Sequence, residues 1–308
     1  MTAALVPVND SQSGHLIQIN DFLKDPLLLQ EVVLSMMNQS FLADTLLRNA
    51  GLTQSGMIRY RESSPLYANS DPMVRAEFAE VPIADVSVGK PMIALVEELA
   101  LGAVISDEMK RRQNFDAMQR QLSAIRNSMT RKWDRTLFRL LFTHPRVQRM
   151  VVDRPWEDPT SKQRIDIYDA KRLVAEASAD NTPDAEFGFE ANTLVIGRGL
   201  EASLFASDEF NKLYMNSPAI TEAPLYKGQL DRKIYGLDVF VSPLPELDDK
   251  AVVMQRGVAG FIADELPLTV TPLYRVEEKK YSRADVQRAS AAGLDQPKAV
   301  VVLEGLAA

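Results

Sequence analysis

The chain has no cysteine among its 308 residues, which excludes disulfides, thiolate zinc sites and cysteine nucleophiles. Histidine is nearly absent as well. His15 and His144 are the only two, and neither has a carboxylate cluster near it in sequence. A histidine triad or metal site is therefore not expected, and both read as solvated or locally bonded imidazoles. The longest apolar run, Met92 to Ile105, is broken by Glu97 and Glu98 and is shorter than the ~20 residues of a spanning helix, so no membrane segment is expected. The first twenty residues lack the charged start, apolar stretch and small-residue cleavage site of a secretory signal, which points to a cytoplasm as the place of synthesis. No G-x-x-x-x-G-K-[ST] or G-x-S-x-G motif occurs, and there is no internal repeat or low-complexity tract. No metal, cofactor or catalytic activity is expected.

What is present is ordinary globular composition, with 46% apolar and 25% charged residues and enough length for about two domains. A net charge of −7 argues against a dedicated nucleic-acid binder. The charge is unevenly placed. Lys110 to Phe142 holds nine basic residues (Lys110, Arg111, Arg112, Arg120, Arg126, Arg131, Lys132, Arg135, Arg139) against Asp116 and Asp134, a local +7 that leaves −14 for the rest.

Residues 1–30 show no period and are punctuated by Pro7 and Pro26, as in an extended arm. Leu27–Asn49 suggests a short helix stopped by Asn49-Ala50-Gly51. GMIRYRES and AEFAEVPIADVSVG alternate apolar and polar residues around a loop rich in Pro, Asn and Asp, which predicts a long hairpin with an extended tip. Two strands alone are marginal in water, so the hairpin should lie on something else, such as a neighbouring subunit. Ser106 is then an N-cap, with Asp107 and Glu108 in the first turn. Apolar residues at Phe115, Met118, Leu122, Ile125, Met129, Trp133, Leu137 and Leu140 keep one stripe on one face, predicting one helix from Ser106 to Phe142, roughly 54 Å long. Pro145 ends it. Residues 145–165 read as a linker. Mixed α/β structure follows, with a helix near Ile167–Ala179, a strand at Thr193–Ile196, helices near Leu200–Met215, and strands at Lys233–Val241 and Ala251–Gln255. Strands at 266–276 and 298–304 then flank a short helix near Ala284–Ala292.

In this order and these lengths the arm, the hairpin (Met57 to Ile105), the long helix, NTLVIGRGLEASLF, KIYGLDVFVSP and the closing PKAVVVLEGL resemble a tailed-bacteriophage major capsid protein of the Hong Kong 97 type, over nearly the whole chain. The resemblance implies an α+β fold with an N-terminal arm and short helix (1–50), an extended hairpin loop (51–105), a peripheral domain with the long spine helix (106–164), an axial domain (165–262) and returning peripheral strands (263–308). It implies a structural, non-catalytic head protein that assembles in the host cytoplasm, as hexamers and pentamers, into an icosahedral virion shell around non-specifically held double-stranded DNA. A separate scaffolding protein and a portal are the implied helpers, and the resemblance leaves room for a decoration protein outside. An encapsulin-type compartment shell is the alternative within the same fold. The extended, proline-marked beginning favours a virus, because those chains typically begin with a helix.

Three features need separate readings. Gly197-Arg198-Gly199-Leu200-Glu201-Ala202 matches a dinucleotide fingerprint between a strand and a helix. No acidic strand end follows at the proper distance, so a tight turn is the reading. Glu97-Glu98, Asp248-Asp249 and Glu277-Glu278 are adjacent pairs that point apart on a strand and cannot act as acid and base on one bond. The basic face of the long helix, with Arg120, Arg126, Arg131 and Arg135, either faces packaged DNA phosphates or pairs with acidic hairpin residues such as Glu77, Glu80 and Asp85, and also Glu97 and Glu98, of the same or a neighbouring chain. Pairing is the favoured reading. Some members of the resembled family weld hairpin lysines to late asparagines. Lys90 is the hairpin's lysine, but no asparagine follows Asn216, so no such cross-link is expected, and denaturing gels of particles should show a monomer band.

Overall fold

Two β-sheets share the residues described by this computed structural model, which are 41–62, 91–112, 115–158, 160–178, 186–206 and 233–307, with single positions 34, 35, 37, 74, 81, 83 and 89. The first sheet is built around a long strand, β12 (Tyr281–Gly293). One edge of β12 pairs antiparallel with β10 (Phe261–Val270) and then β11 (Tyr274–Val276), and the other pairs antiparallel with β4 (Glu97–Ser106). Strand β1 (Arg48–Leu52) closes the outer side by running parallel to β10. Pro267 cannot donate to a ladder, and the β10–β12 register slips between Asp264 and Leu266 and again, across the proline, between Leu266 and Thr269.

The second sheet has six strands in the order β5 (Gln148–Val151), β13 (Val300–Glu304), β9 (Lys250–Met254), β6 (Thr193–Gly197), β8 (Leu237–Ser242) and β7 (Lys233–Ile234). Residues Thr193 to Gly197 are all buried, as are Ala251–Met254 and Val300–Leu303. Such unbroken apolar strands belong in a sheet covered on both faces. The helices α4 (Gln163–Ala175) and α5 (Arg198–Ala206) lie against it.

A short helix, α1 (Leu42–Leu46), precedes β1. The hairpin stem is the two-stranded ribbon β2 (Met57–Arg61) and β3 (Pro91–Leu95), in antiparallel register Met57↔Leu95 to Arg61↔Pro91. Its inner face rests on the first sheet, where Tyr60 meets Phe261 edge to face at 5.1 Å. The long helical segment is α2 (Asp107–Arg111) followed by α3 (Phe115–Thr143). One apolar cluster runs from Met37 through α3 and both sheets to Leu306.

Five expectations are corrected here. The segment Ser106–Phe142 is two helices and not one, because Lys110–Asn114 (KRRQN) offers no apolar side chain to carry the stripe across. The segment Ala284–Ala292 is the centre of β12 and not a helix. Its Ala and Ser residues are small enough to lie flanked by β4 and β10, and tertiary pairing overrides alanine's helical preference. The helix before Asn49 ends at Leu46, and Asn49-Ala50-Gly51 sits inside β1. The linker 145–165 contains a strand, β5, whose partner β13 is about 150 residues away. Strand β13 itself, expected among the returning strands after residue 262, lies between β5 and β9 in the sheet that holds β6 and β8. The arm (1–33), most of the hairpin tip and the segment 207–232 lie outside the described residues.

Candidate assembly surface on the long helix

The long helix is positioned from its first residue. The Ser106 hydroxyl accepts the Met109 N–H at 3.1 Å, which caps α2 as its sequence anticipates. Asp107 in the first turn takes a two-pronged bond from Arg275, 3.0 Å on each oxygen, tying α2 to β11. In α3 the expected stripe is buried at Leu122, Ile125, Met129, Trp133 and Leu137, joined by Phe138 and Leu141. Gln121, with its amide oriented to satisfy both atoms, bonds the N–H and C=O of Val104 at 3.1 and 2.7 Å, so the helix edge is laced to β4.

The underside of α3 meets a charge network that sequence spacing does not show. Arg288 of β12 is 6% exposed. Its guanidinium donates to both oxygens of Asp44 at 2.8 and 3.0 Å and to Asp264 at 3.2 Å. It also stacks between the rings of Phe41 and Trp133, 5.1 Å from each, a cation–π sandwich. Desolvation works against this charge, but the two carboxylates outweigh it and hold the Arg288 pKa above its ordinary value. Asp134 of α3, also buried, accepts the Ala43 N–H at 3.0 Å. It thereby caps α1, whose own N-cap residue Phe41 supplies no side-chain bond. Burial pushes the Asp134 carboxyl up to about 6, with the Asp44 charge adding to the rise and the amides of Ala43 and Leu42 opposing it. The network clamps α1, the long helix and the first sheet together.

Above this clamp a cleft of about 810 Å³ opens between α1, α3, the start of α5 and the segment Phe240–Leu244. Arg126, Arg131 and, from the start of α5, Arg198 line it with Asn127, Thr130 and the carboxyl of Asp134. The apolar side is Phe41, Leu42, Phe240 and Leu244. Three guanidinium groups on partly apolar walls make a seat for an acidic segment that also carries apolar side chains.

The four arginines singled out from sequence separate here. Arg126 and Arg131 share the cleft, and Arg126 also bonds Asn127 Oδ1 at 3.1 and 3.2 Å. Arg135 is turned inward to an ion pair with Glu246 at the end of the second sheet, so it stitches the chain to itself. Arg120 is exposed at the far end of α3. Glu77, Glu80, Asp85 and Lys90 lie outside the described residues, whereas Glu97 and Glu98 are exposed at the start of β4. Spacing gave no sign of Arg198, which reaches the cleft only through the β6–α5 turn. That turn is the fingerprint-like motif. A Cβ at Gly197 would lie 2.4 Å from the Leu247 carbonyl oxygen, so the glycine admits the backbone of Leu247 where a nucleotide site would need open space.

His144, expected to be solvated or locally bonded, is buried beside Glu62, its Nε2 3.8 Å from Oε1. Eighty-two positions separate them in sequence. Among the described residues no cluster of metal-ligating side chains occurs, and no helix is long and apolar enough to cross a membrane.

A family model described as phage capsid protein matches residues 90–303. No curated protein sequence matches the chain. Solved structures match over most of their length. A capsid structure of the cyanophage P-SCSP1u superposes with a TM-score of 0.64 at 9% identity, covering 87% of this chain and 89% of that one. A virus-like particle from Pyrococcus furiosus gives 0.59 at 13% identity, with 89% and 97% covered. The capsid of a native GTA particle gives 0.56 at 12% identity, with 85% and 89% covered. Identities this low establish a shared fold, the α+β capsid fold of the Hong Kong 97 type.

Proposed function

The chain belongs to the phage capsid protein family, and from that premise we propose that it closes into an icosahedral shell of hexamers and pentamers around double-stranded DNA. It is a capsid shell protein, a structural component of a virion. In the finer reading it has no catalytic role and assembles in the host cytoplasm with a separate scaffolding protein and a portal. Decoration proteins, where present, bind outside. Arm (1–50), hairpin (51–105), peripheral (106–164 and 263–308) and axial (165–262) parts form one tile, with the last strand, β13, crossing into the axial sheet.

The observation that carries the contact between tiles is the cleft lined by Arg126, Arg131 and Arg198. The hairpin alternates acids with apolar residues in Glu77, Phe78, Glu80, Val81, Ile83 and Asp85, and Val81 and Ile83 are 62% and 90% exposed. That pattern matches a cleft whose lining mixes three guanidinium groups with aromatic and aliphatic side chains. Packaged DNA offers phosphates but no apolar side chains, so pairing between neighbouring tiles is the better fit. The test is the double variant Arg126→Glu, Arg131→Glu, expressed alone and with a scaffold and imaged by electron microscopy. Hollow closed particles are expected from the parent chain and none from the variant, even without DNA. Normal empty shells from the variant would overturn the pairing.

A DNA-free compartment shell of the encapsulin type is the second reading, favoured by the match to 97% of the Pyrococcus furiosus virus-like particle chain. Nuclease-resistant DNA recovered from particles made in the native host separates the two.

A further inference from the structure

We propose that Glu62, His144 and Arg146 form an acid-released latch that fixes the root of the hairpin to the C-terminal end of the long helix. Glu62 is the residue after β2, and His144 and Arg146 follow α3 directly. Both Glu62 and His144 are 6% exposed. Arg146 Nη1 donates to Glu62 Oε2 in a short charged bond. His144 Nδ1 accepts the Arg146 N–H at 3.4 Å, which places the proton of a neutral imidazole on Nε2. That Nε2 is buried without a hydrogen-bond partner and points at Glu62 Oε1 from 3.8 Å, too far to bond.

The returning leg of the hairpin closes on the same residue. A Cβ at Gly89 would lie 2.3 Å from the Glu62 carbonyl oxygen, so both legs converge on Glu62. Among the described residues Tyr60 on β2 also faces Glu62, and behind Tyr60 lies Asp295, which is held by Arg48 at 2.6 Å. The latch therefore joins hairpin and long helix through one carboxylate, one guanidinium and one imidazole whose Nε2 is buried without a hydrogen bond.

Acid acts on that imidazole. Burial holds the His144 pKa below its ordinary 6.5, Glu62 pulls it back up, and the Arg146 charge lowers it further. An open root returns His144 to water, where it binds a proton more readily. Linkage then favours the closed latch fully above pH 6.5 and weakens it as pH falls through that value. Protonation releases the hairpin root while the two sheets stay folded.

The experiment is hydrogen–deuterium exchange on the unassembled full-length chain at pH 5.5 and 8, corrected for intrinsic rates, so it is independent of shell formation and of what the shell encloses. Peptides covering 57–62 and 91–95 should lose protection severalfold at pH 5.5, while those covering β6 and β9 keep theirs. His144→Gln should abolish the difference, and Arg146→Gln should weaken protection at both pH values. An unchanged pH response in His144→Gln would overturn the proposal, as would equal loss in β6 and β9. An imidazole titration of the unmodified chain by NMR, assigned with His15→Gln, needs no variant at the latch. His144 titrating at or above 6.5 would also overturn it.

Discussion

The six-stranded sheet and the five-stranded sheet bury their strands with different materials. In the six-stranded sheet β6, β9 and β13 contribute fully buried aliphatic runs, Leu194–Ile196, Val252–Met254 and Val300–Leu303, covered by helices of the same chain. Its interior is finished within one subunit. The five-stranded sheet carries Ser282, Asp285, Arg288 and Ser290 among the buried positions of its central strand, and its outer strand β1 is exposed at every residue. Beside it the hairpin stem leaves Met57, Ile93 and Leu95 about half exposed or more, and Leu52 is 74% exposed. Buried charge adds little net stability over a well-packed apolar core but fixes geometry, because its bonds are directional. An open apolar surface is what a subunit leaves for a partner. One half of the molecule is a stable platform, and the other half is a precisely held frame with unfinished faces.

The two tryptophans allow this contrast to be broken, since Trp133 lies in the clamp under α3 and Trp156 packs by the second sheet, where its backbone N–H donates to Leu306 O at 2.8 Å and its indole N–H to Asp166 at 3.0 Å. Arg288→Met should have the largest effect, a loss of about 3–5 kcal/mol because Asp44 and Asp264 are left facing each other without a cation. Urea unfolding followed by Trp133 should shift by that amount, and a loss below 1 kcal/mol would mean the clamp is not structural. Ile196→Ala in the apolar sheet should cost about 2–5 kcal/mol through cavity formation, read by Trp156 and independent of pH. Asp134→Asn should do the reverse. The Asp134 pKa is raised from 3.8 to about 6, so its contribution to stability is complete below pH 3.8 and lost as pH rises through 6. The amide keeps an acceptor for the Ala43 N–H, and the variant should gain about 1–3 kcal/mol at pH 8 and nothing at pH 3.5. A gain that persists in acid would refute the assignment. Arg126→Glu with Arg131→Glu should change chain stability least, by about 0.5 kcal/mol or less, while abolishing closed particles. Melting curves of the unassembled chain check the first half of that statement.

Periodicity revealed the parts whose partners are local or whose burial is complete. The stripe from Leu122 to Leu137, helix α4, and strands β6 and β9 stand where their patterns put them, and Ser106 caps as its position suggests, whereas the strand expected at Lys233–Val241 is the hairpin of β7 and β8, turned at Tyr235-Gly236. The errors have a common cause. β12 is built from Ala, Ser, Arg and Gln, which signal helix until β4 and β10 are in place on its two edges. β5 reads as linker until β13 arrives. The same limit hid the candidate site. Arg126 and Arg131 were visible as basic positions on a helix face, but Arg135 turns to Glu246, and Arg198 joins the cleft from 67 residues beyond Arg131. Arg288 with Asp44, and Glu62 with His144, are pairs that only the folded chain brings into contact.

The placement of β13 also bears on the order of synthesis. β5 is made early, yet its one strand partner among the described residues, β13, pairs Val301 with Gln148, so its edge waits for about 150 further residues. At roughly 5–20 residues per second that is on the order of 10–30 s of translation. Until then the platform lacks the strand that joins β5 to β9. The platform is therefore completed only when the last strand of the chain has been made.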